Sequence, residues 1–122
     1  MNTSDYTKSV IATACWRAAR GELHSVMLSV CQVFMNRAAA GWCDSDLYEN
    51  CVKWIQEEYV SPDYPDPRDP QFQQLLNKLE TVTSGLASDK TGGALWFCLT
   101  NQLPEKIEGT ITTVIGGMTF VK

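Results

Sequence analysis

The sequence predicts an α+β fold, with a mainly helical body followed by a small antiparallel sheet near the C-terminus. Two observations predict it. Apolar residues recur at helical spacing over the first two thirds of the chain, whereas the last third carries short apolar and β-branched runs separated by paired glycines. Because the chain has 122 residues, we expect one domain over residues 1–122, large enough to bury a core without a metal or a disulfide.

The helical body is expected to contain helices at residues 4–20, 23–38, 45–58 and 70–85. The second is apolar around most of its circumference, which is typical of a helix buried in the centre of a domain. Residues 61–70 contain four prolines. This segment cannot continue the third helix, so we expect turns and extended backbone there.

The C-terminal third is expected to supply the strands. Residues 94–99 form a short apolar run after the Gly92-Gly93 turn, and residues 110–115 are rich in β-branched side chains. The Gly116-Gly117 pair can then turn the chain into a last strand at residues 118–121. Strands joined by such short turns form an antiparallel sheet.

The charge of the chain excludes some classes of partner. A formal net charge of -4 argues against a nucleic-acid-binding protein, which needs clustered Lys and Arg, and against adhesion to anionic membranes. The N-terminus is polar and no apolar run reaches transmembrane length, so we expect neither a signal peptide nor membrane insertion. A neutral or peptide-bearing glycan suits such a surface.

The five cysteines form no CxxC pair, and an odd number fits a reducing compartment better than a disulfide framework. Cys15 and Cys31 lie in apolar helical patterns and are predicted to be core residues. Cys43 and Cys51 flank a short loop and could pair after export. The single histidine, His24, has no neighbouring ligand pattern, so we expect no metal and no cofactor.

Five short segments, taken in order, carry the most specific signal. They are Trp16-Arg17-Ala18-Ala19-Arg20-Gly21-Glu22, Asn36-Arg37 at the end of an apolar helix, Pro65-Asp66-Pro67-Arg68-Asp69-Pro70-Gln71-Phe72, Asp89-Lys90-Thr91-Gly92-Gly93-Ala94 and Ile115-Gly116-Gly117-Met118-Thr119-Phe120. Together they resemble the SleB-type cell-wall hydrolases, which include spore-cortex-lytic enzymes and many phage lysins. That family opens with aromatic-x-Glu-Ala-Arg-Gly-Glu and closes with Ile-Gly-x-His-x-Phe, and Cys51 and Gln56 weakly match a Cys and a Gln-Phe-Ser segment between them.

The resemblance implies a lysozyme-like fold and cleavage of the bond between N-acetylmuramic acid and N-acetylglucosamine, by a muramidase or a lytic transglycosylase. It also implies that position 18 holds the general acid, a role that needs a carboxyl group with a raised pKa. Burial beside Trp16 at the end of the first helix would raise that pKa. Ala18 has no proton to give, so we expect impaired activity. The alanine is either an engineered substitution or a natural one.

Glu22 is the nearest remaining carboxylate. Its negative charge either interacts favourably with the helix dipole at the start of the second helix or contributes to catalysis. Glu57 and Glu58 could supply the second carboxylate of a two-carboxylate glycosidase, or form a solvated face. The late histidine of the family is Met118 here.

The remaining predicted site residues divide into two groups. We expect sugar contacts from Tyr64, Tyr59, Gln56 and Trp96. We expect structural support from Arg20, Asn36 and Arg37.

Peptidoglycan glycan strands are the expected partner, and the sequence leaves the oligomeric state open. A phage lysin would stay in the host cytoplasm until lysis and then reach the periplasm and cell wall. The main alternative is a non-catalytic glycan-binding or virion structural protein on the same scaffold. A cysteine amidase or peptidase using Cys15 and His24 is disfavoured, because the two residues are predicted on separate helices.

Overall fold

The computed structural model describes residues 5–57 and 64–122. Within them the chain forms four α-helices and a three-stranded antiparallel sheet, which confirms the predicted α+β class. The elements are α1 (Asp5–Ala18), α2 (His24–Ala39), α3 (Leu47–Glu57), α4 (Pro70–Thr83), β1 (Trp96–Leu99), β2 (Ile111–Ile115) and β3 (Met118–Val121). Short 3-10 turns at Trp42–Ser45 and Thr100–Gln102 precede α3 and follow β1.

The helix α2 lies at the centre of the helical body. It contacts α1, α3 and α4, and its C-terminal half also reaches β1. Val30, Val33 and Phe34 are completely buried, and the Phe34 ring packs edge-on against Trp54 of α3 and Phe97 of β1. The prediction of a central, buried second helix is therefore confirmed, and apolar burial around α2 supplies most of the driving force for folding.

The sheet has the order β1-β3-β2, so the last strand is the central one. All four residues of β3 are buried, and Phe120 lies opposite Phe97. Gly116 has a φ of 57° in the turn between β2 and β3, a left-handed conformation that favours glycine. The β-branched strand β2 forms one edge of the sheet, with an irregular register between Ile111 and Thr113.

Several element boundaries differ from those predicted. The helix α1 ends at Ala18 rather than at residue 20, and α2 begins at His24, so the intervening residues form a turn in which Gly21 has a φ of 82°. The strand β1 begins at Trp96 rather than at Ala94. The carbonyl oxygens of Ala94 and Leu95 instead accept hydrogen bonds from side chains of α2.

The cysteines are all free thiols, including Cys43 and Cys51. Cys15 and Cys31 are completely buried, as predicted for core residues. Burial raises the pKa of the Cys15 and Cys51 thiols well above the ordinary value, so both stay protonated. No helix in the described part of the chain is both long and apolar enough to span a lipid bilayer.

Candidate functional site

The C-terminal end of α1 is where the sequence places the general acid. Ala18 is the last helical residue and is half-buried, packed with Trp16 against the core. The guanidinium of Arg17 lies 5.0 Å from the centre of the Tyr64 ring, and that of Arg20 lies 5.3 Å from the centre of the Trp16 ring. Position 18 is therefore partly shielded from water, although less completely than the buried helix end that the sequence predicted.

A cavity of about 530 Å³ is lined by the turn that follows this helix, from Arg20 onward, and Ala18 itself is not among its lining residues. We call it the Glu22 cavity; it is lined by Arg20, Gly21, Glu22, Leu99, Thr100, Asn101 and Gly117. Its walls come from the turn after α1, the segment after β1 and the turn between β2 and β3. These segments are far apart in the sequence, so the cavity exists only in the folded chain.

The Glu22 carboxylate is held by the backbone of the last turn. Its Oε1 atom accepts a hydrogen bond from the N–H of Gly117, 95 residues further along the chain. A Cβ atom on Gly117 would meet that oxygen, so the Glu22 side chain would have to shift if position 117 were not glycine. Glu22 lies before Leu23, the residue that precedes the first turn of α2. Its carboxylate therefore binds the sheet turn rather than capping α2.

A second cavity, of about 350 Å³, lies between α1 and α3. We call it the tyrosine cavity; it is lined by Tyr6, Ser9, Val10, Thr13, Tyr48, Val52, Ile55, Gln56 and Tyr64. The structure thus brings together Gln56 and Tyr64, both of which the sequence predicts to contact sugar. Sequence reasoning missed Tyr6 and Tyr48, because nothing in the sequence shows that α1 and α3 pack side by side.

Trp96 is separate from both cavities. Its side chain is 44% exposed, and its ring packs edge-on against Trp42 with the ring centres 5.7 Å apart. Arg37 lies 4.8 Å from the centre of the Trp42 ring and donates a hydrogen bond from Nε to the Leu95 carbonyl at 2.7 Å. Burial lowers the pKa of the Arg37 guanidinium, which nevertheless remains charged. Arg37 therefore links α2 to the start of β1.

Asn36 makes the neighbouring link between α2 and the sheet. Its Nδ2 donates to Asp89 Oδ2 at 3.1 Å and to the Ala94 carbonyl at 3.0 Å. Partial burial acts to raise the pKa of the Asp89 carboxyl, but hydrogen bonds from Thr91, Asn36 and Gly93 outweigh it and hold the pKa below its ordinary value. The turn before β1 is thus fastened to the end of α2.

Of the two other predicted carboxylates, only Glu57 is described, and it lines neither cavity. Glu57 is exposed at the end of α3, 4.0 Å from Lys53. Glu58 and Tyr59 lie outside the described residues. Met118, at the position of the family's late histidine, is completely buried in the core.

The structure gives no support to a cysteine nucleophile. Cys15 is completely buried, whereas the Nδ1 atom of His24 lies 3.5 Å from Lys78 Nζ on α4. Among residues 5–57 and 64–122, no group of histidine, cysteine or acidic side chains is arranged to hold a metal ion.

Comparison of the chain with models of known protein families, with curated proteins and with solved structures found no match. The residues that bear on function are therefore those that line the two cavities and those whose hydrogen bonds join the segments around them.

Proposed function

We propose that this chain is a peptidoglycan glycosidase of the phage endolysin type, a muramidase or a lytic transglycosylase on a lysozyme-like scaffold, and that it is inactivated because alanine at position 18 takes the place of the general acid. The observation that carries the proposal is the hydrogen bond between Glu22 and the Gly117 N–H. It joins the opening and closing segments of the resemblance to the SleB-type hydrolases. These segments meet at the Glu22 cavity, whose lining begins at Arg20, two residues after position 18.

A second pair of segments supports the same proposal. Asn36 and Arg37 lie near the end of α2, the apolar helix that resembles one of the family's segments. Their side chains hydrogen-bond to the segment Asp89–Ala94 and to the adjoining Leu95. Four of the five segments are thus joined in pairs in the fold.

The chemistry proposed for the ancestral site follows from the position of Ala18. A glutamate there would extend from a half-buried helix end, where desolvation raises the pKa of a carboxyl group and keeps it protonated near neutral pH. Such a group can protonate the glycosidic oxygen as the bond breaks. Either a water molecule then gives a muramidase product or a hydroxyl of the substrate closes a cyclic one, as in lytic transglycosylases.

Restoring the acid tests the proposal. The variants Ala18→Glu and Ala18→Gln place side chains of nearly the same size at position 18, but only the first can donate a proton. We expect Ala18→Glu to increase the loss of turbidity of purified peptidoglycan by about 10² to 10⁴ fold, the usual contribution of a general acid. Ala18→Gln should remain at the level of the unmodified chain.

The outcome also distinguishes the glycosidase from a second candidate, a non-catalytic glycan-binding or virion structural protein. Alanine at position 18 and a buried Met118 favour it if both residues are natural. Binding to peptidoglycan without lysis by Ala18→Glu would support this second candidate. If the variant neither bound nor lysed peptidoglycan, that result would contradict both candidate functions. For the leading proposal, we place the protein with phage lysins, held in the host cytoplasm until lysis and then acting on the cell wall.

A further inference from the structure

We propose that the tyrosine cavity between α1 and α3 is a saccharide-binding site that works independently of position 18. The choice of an N-acetylated glycan as its ligand rests on the proposed function. The site itself is argued from the residues that line it.

The cavity is formed by matching stripes on two helices. Tyr6, Val10 and Thr13 follow one face of α1, and Tyr48 and Val52 follow one face of α3. Residues spaced in this way lie above one another on a helix, so the two stripes form facing walls. The shape of the site therefore follows from helix packing and does not depend on the turn that holds Glu22.

Aromatic rings are the main feature of these walls. Three tyrosines line the cavity, and Tyr6 and Tyr64 keep 70% and 61% of their surfaces exposed. The Tyr6 and Tyr48 rings pack with their centres 6.3 Å apart, and Arg17 packs on the Tyr64 ring. These contacts orient the rings before a ligand arrives, which lowers the entropic cost of binding. An exposed ring held in place suits the apolar face of a pyranose.

The described residues that line the cavity carry neutral polar groups. Ser9, Thr13 and Gln56 supply hydroxyl and amide groups, and none of these described lining residues is acidic or basic, although the Arg17 guanidinium packs on the Tyr64 ring. The Thr13 hydroxyl donates to the Ser9 carbonyl at 2.7 Å, which leaves its oxygen able to accept a further hydrogen bond.

This lining excludes several kinds of ligand. A phosphate or a metal ion needs a side chain of opposite charge, and the described residues that line the cavity include none. A purely aliphatic ligand would deprive the hydroxyl and amide groups of water without replacing their hydrogen bonds. A sugar satisfies both kinds of surface, because one ring face is apolar and its edges carry hydroxyl and acetamido groups.

The size of the cavity sets the length of glycan that it holds. Small-molecule sites span about 300 to 1,000 Å³, and the tyrosine cavity measures about 350 Å³. It therefore accommodates one or two sugar rings. A longer strand would continue outside it, so this site would anchor a glycan rather than enclose it.

The test uses the N-acetylglucosamine trimer as the probe and backbone amide shifts of the full chain as the readout. We expect the trimer to shift the amides of Tyr6, Thr13, Gln56 and Tyr64, and to leave that of Gly117 unchanged. Tyr64→Ala should weaken binding by about tenfold, equivalent to about 1.4 kcal/mol. Tyr64→Phe keeps the ring and should bind like the unmodified chain. Leu86→Ala is the matched control, because Leu86 is 90% exposed and lines neither cavity.

The outcomes separate this inference from the proposed function. Suppose that Ala18→Glu lyses peptidoglycan and that Tyr64→Ala leaves trimer binding unchanged. Those results would overturn the saccharide site and would still support the glycosidase proposal. Trimer binding at the tyrosine cavity without any lysis by Ala18→Glu would support the site and contradict the glycosidase. No shift with the trimer, or shifts with an isolated stem peptide instead, would overturn the site.

Discussion

The Glu22 cavity and the tyrosine cavity are built in different ways. Segments distant in the sequence form the Glu22 cavity, where the hydrogen bond between Glu22 and Gly117 connects two of its walls. Most of the described lining of the tyrosine cavity comes from two adjacent helices, and none of those residues is charged. We propose the first cavity as part of a reaction site that lacks its proton donor and the second as a binding site. On that proposal, a change at position 18 removes chemistry and leaves binding intact.

The largest expected effect separates these two roles. In an Ala18→Glu background, adding Tyr64→Ala should preserve the gain of about 10² to 10⁴ fold in kcat. It should raise KM about tenfold, because Tyr64 is proposed to contribute only to binding. Turbidity loss measured over a range of peptidoglycan concentrations gives both constants. A loss of kcat with an unchanged KM would mean that the two cavities act as one site.

The next effect concerns the link between α2 and the sheet. Asn36→Ala removes hydrogen bonds to Asp89 and Ala94, and we expect it to lower the free energy of unfolding by about 2 kcal/mol. Urea unfolding measures this change. The matched control is Asn77→Ala on the exposed face of α4, expected within about 0.5 kcal/mol of the unmodified chain.

The same variant sharpens the comparison of the two cavities. Since the link supports the start of β1, Asn36→Ala should speed amide exchange at Thr100 and Asn101 while trimer binding at the tyrosine cavity is unaffected. Equal effects on both cavities would contradict their independence.

A smaller effect is expected at Glu22. Glu22→Ala leaves the Gly117 N–H without its partner and should lower the free energy of unfolding by about 1 kcal/mol. Glu22→Gln keeps an accepting oxygen and should unfold nearly like the unmodified chain. Urea unfolding and exchange of the Gly117 amide measure the two variants.

Glu22→Gln also distinguishes the two roles considered for this residue. In an Ala18→Glu background, retained lysis would show that Glu22 acts by holding the turn between β2 and β3. Lost lysis in a stably folded protein would show that its carboxylate takes part in the reaction.

The smallest effect is the pH dependence at Asp89. The pKa of this carboxyl is lower in the folded chain than its ordinary value, so its ionised form stabilises the fold above about pH 4. That contribution is lost as the pH falls through the lowered pKa. Asp89→Asn should therefore show a shallower loss of stability between about pH 5 and pH 2. Parallel urea-unfolding profiles for the two proteins would contradict this role for the Asp89 carboxylate.

The sequence predicted the helical body well because its signal is periodic and local. The all-round apolar pattern of α2 and the paired glycines before β3 are properties of neighbouring residues, and both led to correct elements. The start of β1 was placed too early. The Ala94 carbonyl bonds with Asn36, 58 residues away, and no local pattern reveals that contact.

The candidate sites were only partly predictable for the same reason. Glu22, Gln56 and Tyr64 could be named from motifs or from their place beside the proline-rich segment. Gly117 as the partner of Glu22 and Tyr6 as part of a cavity depend on tertiary packing. The exposed Trp96, predicted to bind sugar, lies apart from both cavities because β1 turns it towards Trp42.

Mass analysis of the soluble fragments that the Ala18→Glu variant releases from purified peptidoglycan tests the central claim most directly. The proposed scaffold predicts fragments cut between N-acetylmuramic acid and N-acetylglucosamine, with either a reducing end or an anhydro end and with intact stem peptides. Fragments cut only in the peptides, or no fragments from a stably folded variant, would contradict the claim that position 18 once held the acid of a glycosidase.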